Sequence, residues 1–175
     1  EICEGNDNYV IIGRKESGKT TLLSYLYGQF LKPKRMEFLK VPLLIDFQNL
    51  PQGKHPIEKA IANNLLNYKI NVNVEEILVN NRWVLLVDNL NLKQKKEIVE
   101  LATFIKKYPR NQYIFAMDEN VADELLGSEV SALPIAYSVY YIHNFKRKQV
   151  RLLIEKWFHN TDVDLIPGDL ADIIL

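Results

Sequence analysis

Residues 13 to 23 read GRKESGKTTLL, with Gly13 and Gly18 five apart and Lys19 and Thr20 directly after the second glycine. Glycines at that spacing let a backbone fold around an anion without side-chain obstruction. The N–H groups of Gly13, Arg14, Lys15, Glu16, Ser17 and Gly18, and those onward to Thr21, can then converge on phosphate oxygens. Lys19 adds a flexible point charge for the outer phosphates, and the Thr20 hydroxyl is a hard oxygen ligand suited to Mg²⁺. An apolar YVII leads into the loop and LLSYLY leads out. A helix starting there would turn its positive N-terminal end on the same anion. The competing explanation, an ordinary glycine-containing turn between a strand and a helix, leaves the matched lysine and threonine without a role.

A magnesium-bound triphosphate needs a second anchor, an acid at the end of another buried strand. Asp88, after the run WVLLV, meets that requirement; its structural alternative is a helix cap or a solvated loop aspartate. Asp118 ends the run YIFAM and reads either as a catalytic group that senses the γ-phosphate or orients water, or as an acid that starts a turn. Asn89 and Asn91 follow Asp88, where many hydrolysing proteins with this loop carry a second acid. An amide can orient a water but cannot take its proton at neutral pH, so slow ATP hydrolysis is expected. Glu16, Asp118 and Glu119 remain as replacement carboxylates.

These residues need elements to position them. YVIIG (9 to 13) reads as a buried strand, and Leu22, Leu23, Leu26 and Phe30 recur at helical spacing up to the LKPKR that ends the helix. VPLLIDFQN (41 to 49) reads as a second strand, and Pro56, Ile57, Ala60, Ile61 and Leu65 as a second helix. RWVLLVDN (82 to 89), QYIFAMD (112 to 118) and YSVYYIHNF (137 to 145) supply three more strands. An amphipathic helix carries Ile98, Leu101, Ala102 and Ile105, and a last one turns Val150, Leu153, Ile154, Trp157 and Phe158 inward. Five strands separated by helices predict an α/β fold whose parallel sheet is covered on both faces.

Composition narrows the function classes. A chain of 175 residues, 47% hydrophobic, can bury one good core, and 22 basic against 22 acidic residues create no general attraction to nucleic acid or an anionic membrane. The single Cys3 cannot form an internal disulfide, and the first ten residues lack a signal-peptide pattern, so a cytoplasmic location is expected. FKRKQVR reads as a solvated basic face or as a phosphate or neighbouring-subunit contact. His143 reads as a structural histidine more readily than a catalytic one, and His55 and His159 have no metal-ligand spacing. Tyr9, Tyr137, Tyr140 and Tyr141 read as strand-packing residues.

VIIGRKESGKTTLL, then RWVLLVDNLN, then YYIHNFKRKQVRLLIEKWF resemble the nucleotide-binding domain of STAND-class signalling ATPases, which include the NACHT and NB-ARC families and are related to AAA+ proteins. The likeness runs from about Tyr9 to Phe158 and is greatest to bacterial defence STAND proteins. It implies a three-layer sandwich with a mainly parallel five-stranded P-loop NTPase sheet over residues 1–145, and the start of a helical subdomain over 146–175. It also implies an ATP/ADP switch that uses Mg²⁺, oligomerises with its own copies on nucleotide exchange and activates an effector. Gly13, Gly18, Lys19, Thr20 and Asp88 map onto the family's nucleotide and magnesium residues. Asn89 departs from the pattern. Effector and sensor domains are expected elsewhere in a longer parent chain. Two other classes stay open: a small P-loop kinase, and a scaffold that binds nucleotide without turnover.

Overall fold

A computed structural model describes residues 2–3, 5–32, 40–67, 69–79, 83–126, 133–144 and 146–158. The first strand, β1 (Tyr9–Gly13), is buried along its whole length and runs through the glycine loop into α1 (Lys19–Phe30). Next come β2 (Val41–Asp46), a 3-10 turn (Phe47–Asn49), α2 (Pro56–Asn67) and α3 (Val74–Val79). The chain continues through β3 (Trp83–Leu90), α4 (Lys95–Lys107), β4 (Gln112–Asp118), α5 (Glu119–Leu126), β5 (Ser138–Ile142) and α6 (Arg147–Phe158).

All four strand pairings are parallel, in the order β2-β3-β4-β1-β5. Alternation along each strand divides the apolar side chains between two cores, as a period of two requires. Val10, Ile12, Leu85, Val87, Tyr113 and Phe115 face a core shared with Ile57, Ile61, Leu101 and Phe104 of α2 and α4. Tyr9, Ile11, Val84, Leu86 and Ile114 face the other, against Leu23, Leu26 and Phe30 of α1. The sheet is therefore the middle of three layers. Its C-terminal edge brings the ends of β1, β4, β3 and β2 side by side: Gly13 is the register partner of Asp118, and Asp46 that of Asp88.

Several boundaries differ from the sequence expectation. The second strand stops at Asp46 because its carboxylate accepts from Gln48 N at 3.2 Å and starts the 3-10 turn. The fifth strand covers 138–142, not 137–145, with Phe145 outside the described residues. It is an edge strand on which Tyr140 and Tyr141 remain 53% and 55% exposed, so neither is fully packed. Arg82, Pro33 and residues 159–175 lie outside the described residues, as do the side chains of Leu153, Ile154, Trp157 and Phe158. The chain divides into two compact units after Ile142, and the second contributes α6. Among the described residues no helix is long and apolar enough to cross a membrane.

Candidate functional site

The two loop glycines are needed for different reasons. A Cβ on Gly13 would stand 2.5 Å from Ser17 Oγ and 2.9 Å from the Ile142 carbonyl oxygen, so close approach of backbone excludes a side chain there. A Cβ on Gly18 would meet nothing within 4 Å, but its φ of 92° is in the left-handed region that glycine enters without strain. Glu16 also takes a positive φ, 64°, and Ser17 N donates to Arg14 O at 3.1 Å, which tightens the loop.

That backbone delivers α1 with its first turn open. Gly18 is the N-cap, no side chain caps the helix, and no acid stands in the first turn. The N–H groups at this end are therefore left to whatever the loop encloses, along with the positive end of the helix dipole. Lys19 Nζ donates to Gly13 O at 2.8 Å and Arg14 O at 2.6 Å, resting on the carbonyls of its own loop. Ser17 Oγ is buried with no hydrogen-bond partner. A buried hydroxyl left so is uncommon, and a phosphate oxygen would satisfy it.

Asp88 lies 68 residues from Thr20 in the chain, yet Thr20 Oγ1 donates to Asp88 Oδ2 at 2.6 Å. The other carboxylate oxygen accepts from Asn89 N at 2.9 Å. Asp88 is only 5% exposed, held at the end of a strand whose preceding four residues are buried. The hydroxyl and carboxylate thus form a hard-oxygen pair that suits Mg²⁺, an ion that keeps several waters and completes its shell with substrate phosphates. Among the described residues no cluster of three or more His, Cys, Asp or Glu could hold a metal unaided.

Asp118 stands on β4, between the loop strand and β3. Its Oδ1 accepts from Asn120 N at 3.0 Å and from Asn120 Nδ2 at 2.8 Å, so it starts the turn into α5 while also lining the central cavity. That cavity, about 600 Å³, is bounded by Lys15, Gly18, Lys19, Thr20 and Thr21 on the loop side and by Gln48, Asn89, Asn91 and Asp118 opposite. Glu119 is not available as a free carboxylate, since Arg14 Nε donates to its Oε1 at 2.7 Å. His143 is exposed. One acid was not singled out in the sequence: Asp46 accepts from Asn89 Nδ2 at 3.0 Å and from Asn49 Nδ2 at 2.6 Å. VPLLID ends an apolar run on an acid just as WVLLVD does, so the signal was present.

No family model and no curated protein match this sequence. Solved structures do resemble it in fold. A Walker-type ATPase of Pyrococcus abyssi is 13% identical with a TM-score of 0.65, the match covering 95% of this chain and 57% of that one. The ORC2 protein of Aeropyrum pernix in its ADP form is 15% identical with a TM-score of 0.69, covering 96% and 50%. The replication initiator DnaA bound to AMPPCP and single-stranded DNA is 17% identical with a TM-score of 0.58, covering 95% and 49%. The chain spans about half the length of these proteins. With its loop between β1 and α1 and β4 set between β1 and β3, it has the α/β fold of the AAA+-type P-loop ATPases.

Proposed function

We propose that this chain is the ATP/ADP-binding switch domain of a STAND-type signalling ATPase, in which nucleotide exchange controls assembly with its own copies and activates an effector, in a defence role. The observation that carries nucleotide binding is the 2.6 Å bond from Thr20 to Asp88, which joins a phosphate-loop hydroxyl to a buried strand-end acid. The backbone from Gly13 to Thr21 holds the phosphates, Lys19 leaves its own loop carbonyls for the outer ones, and Thr20 and Asp88 serve Mg²⁺. Bound Mg²⁺ supplies charge neutralisation on the phosphate chain. Residues 1–145 form the nucleotide-binding part and 146–175 begin a helical subdomain. The signalling assignment rests on the resemblance of the loop, the strand-end acid and the YYIHNFKRKQVR segment to that class.

Lys19→Ala removes a charge-assisted contact of about 1.5–3 kcal/mol. Calorimetric titration should show ATP and ADP affinity falling by one to two orders of magnitude, with the melting temperature of the nucleotide-free protein preserved. Unchanged affinity would end the phosphate-loop assignment. The amide at position 89 also favours a second reading, a scaffold that binds nucleotide without turnover. Phosphate release measured with and without small-molecule acceptors separates switch ATPase, scaffold and kinase. Nucleic acid is left out of the proposal because equal numbers of acidic and basic residues provide no general attraction to a phosphate backbone. A salt-dependent mobility shift on DNA would reverse that.

A further inference from the structure

Asn89 follows Asp88 where the sequence reading expects an acid, and its surroundings account for the amide. Asp46, the last residue of β2, is the register partner of Asp88, two residues before the end of β3. Asn89 follows with φ 54°, a left-handed conformation that Asn and Asp tolerate better than most residues. Its Nδ2 donates to Asp46 Oδ1 at 3.0 Å. The same carboxylate takes Gln48 N on Oδ1 and Asn49 Nδ2 on Oδ2, so these three partners of Asp46 are all donors. An ionised carboxylate only accepts. Asp46 therefore selects the nitrogen end of the Asn89 amide and turns its oxygen away, in a residue that lines the central cavity. A carboxylate at 89 would instead face Asp46 at hydrogen-bond distance, and two like charges that close are not both ionised without cost.

We propose that Asp46 is a positioning residue that fixes position 89 as an amide, and that the two form one carboxylate–amide unit holding the site in slow hydrolysis. This rests on the nucleotide-binding reading above. Held this way, Asn89 offers a water an acceptor but no base. Exchanging the partners should create a base without the repulsion. As the water oxygen bonds to the γ-phosphorus, the bond from that phosphorus to the β,γ-bridging oxygen breaks and its electron pair leaves with ADP. One water proton passes to the new carboxylate at position 89 and then to solvent.

The test compares the 175-residue chain with Asp46→Asn, Asn89→Asp and the double exchange. Three readouts apply to each: melting without nucleotide, calorimetric affinity for ATP and ADP, and phosphate release. Asp46→Asn keeps an acceptor for Gln48 N but sets an amide nitrogen against Asn49 Nδ2, so it should melt slightly below the wild type. Asn89→Asp alone should lower the melting temperature by about 2–4 °C; in the double exchange the new amide at 46 donates to the new carboxylate at 89 at the expense of Gln48 N, so most but not all of that loss should be recovered. Phosphate release by the double exchange should exceed wild type by about 100-fold, the low end of general-base catalysis, and exceed Asn89→Asp alone. Simple additivity of the melting shifts, or acceleration by Asn89→Asp alone equal to that of the exchange, would overturn the coupling. Wild-type release rates in the exchange variant would overturn the catalytic half. A chain that binds no ATP at all would instead sink the proposed function, and the nucleotide-free melting cycle would still decide whether Asp46 and Asn89 are coupled.

Discussion

The two ends of the sheet spend their polar side chains differently. At the N-terminal end, Asn8 Nδ2 donates to Ala136 O at 3.0 Å and its Oδ1 accepts from Tyr113 N at 2.9 Å. Gln112 Nε2 donates to Asp7 O at 2.8 Å and to Ile2 O, while Lys40 Nζ donates to Gln112 Oε1 at 2.8 Å and to Gly5 O. Asn111 Nδ2 reaches Leu78 O at 2.9 Å. Burial lowers the Lys40 pKa below the ordinary lysine value, with Cys3 and Asp7 opposing. Nearly every partner here is backbone. Such bonds tie the N-terminal segment and the loops to the sheet, and their loss leaves buried groups unsatisfied.

At the C-terminal end, beside backbone bonds such as Lys19 to Gly13 O, three bonds run between side chains of separate elements: Thr20 to Asp88, Asn89 to Asp46, Arg14 to Glu119. Thr20 and Asn89 line the cavity there, and the buried Ser17 Oγ of the same loop has no partner. Side chains bonded to one another, or to carbonyls of their own loop as Lys19 is, can exchange partners for a ligand at little cost in structure; those that satisfy buried backbone groups cannot. Polar content alone does not separate a site from a scaffold. The identity of the partners does.

Three substitutions sharpen this contrast, beginning with the largest effect. Gln112→Leu should destabilise the fold by about 3 kcal/mol, because the Asp7 and Ile2 carbonyls and the half-buried Lys40 ammonium lose a partner together. Chemical denaturation should show that loss while calorimetry finds ATP affinity unchanged; a parallel fall in affinity would mean that the two ends are not separable. Asp88→Asn should do the reverse. It keeps an acceptor for Thr20 but gives up charge, so ATP affinity in magnesium should fall about tenfold, near 1.4 kcal/mol, with a much smaller loss in chelator. Equal losses under both conditions would make Asp88 a capping residue and place it with the other end of the sheet. Arg14→Ala is the smallest. Its pair with Glu119 is exposed, 70% and 43%, and such pairs contribute about 0.2–1 kcal/mol. Nucleotide affinity should move by less than about threefold, and a larger shift in the titration would show that the pair closes the mouth of the loop.

The strands at 9–13 and 112–118 were legible because bulky apolar residues fill them and glycine or an acid ends each. Two helices were not: α3 and α5 have six and eight residues, too few turns for an apolar period to stand out. The start of α3 is instead set by Asn73 Oδ1, which accepts from Glu75 N at 3.0 Å. Tyr140 and Tyr141 carry the same strand signal as buried tyrosines, and only the edge position of β5 leaves them half exposed.

What the sequence determined by itself was the chemistry of residues 13 to 21. Their mutual distances are set by the covalent chain, so residue type and spacing suffice to predict a phosphate cradle there. Strand order is different: β4 enters between β1 and β3 although it follows both in sequence, and no local pattern encodes which strands become neighbours. That placement put Asp118 beside Gly13 and, with α1 packed on the sheet, brought Asp88 within a hydrogen bond of Thr20, while the β2–β3 pairing set Asp46 against Asn89. Three acids ending three apolar runs look alike in the chain. They acquired different partners, and so different roles, because long-range parallel pairing decides which hydroxyl or amide each one meets.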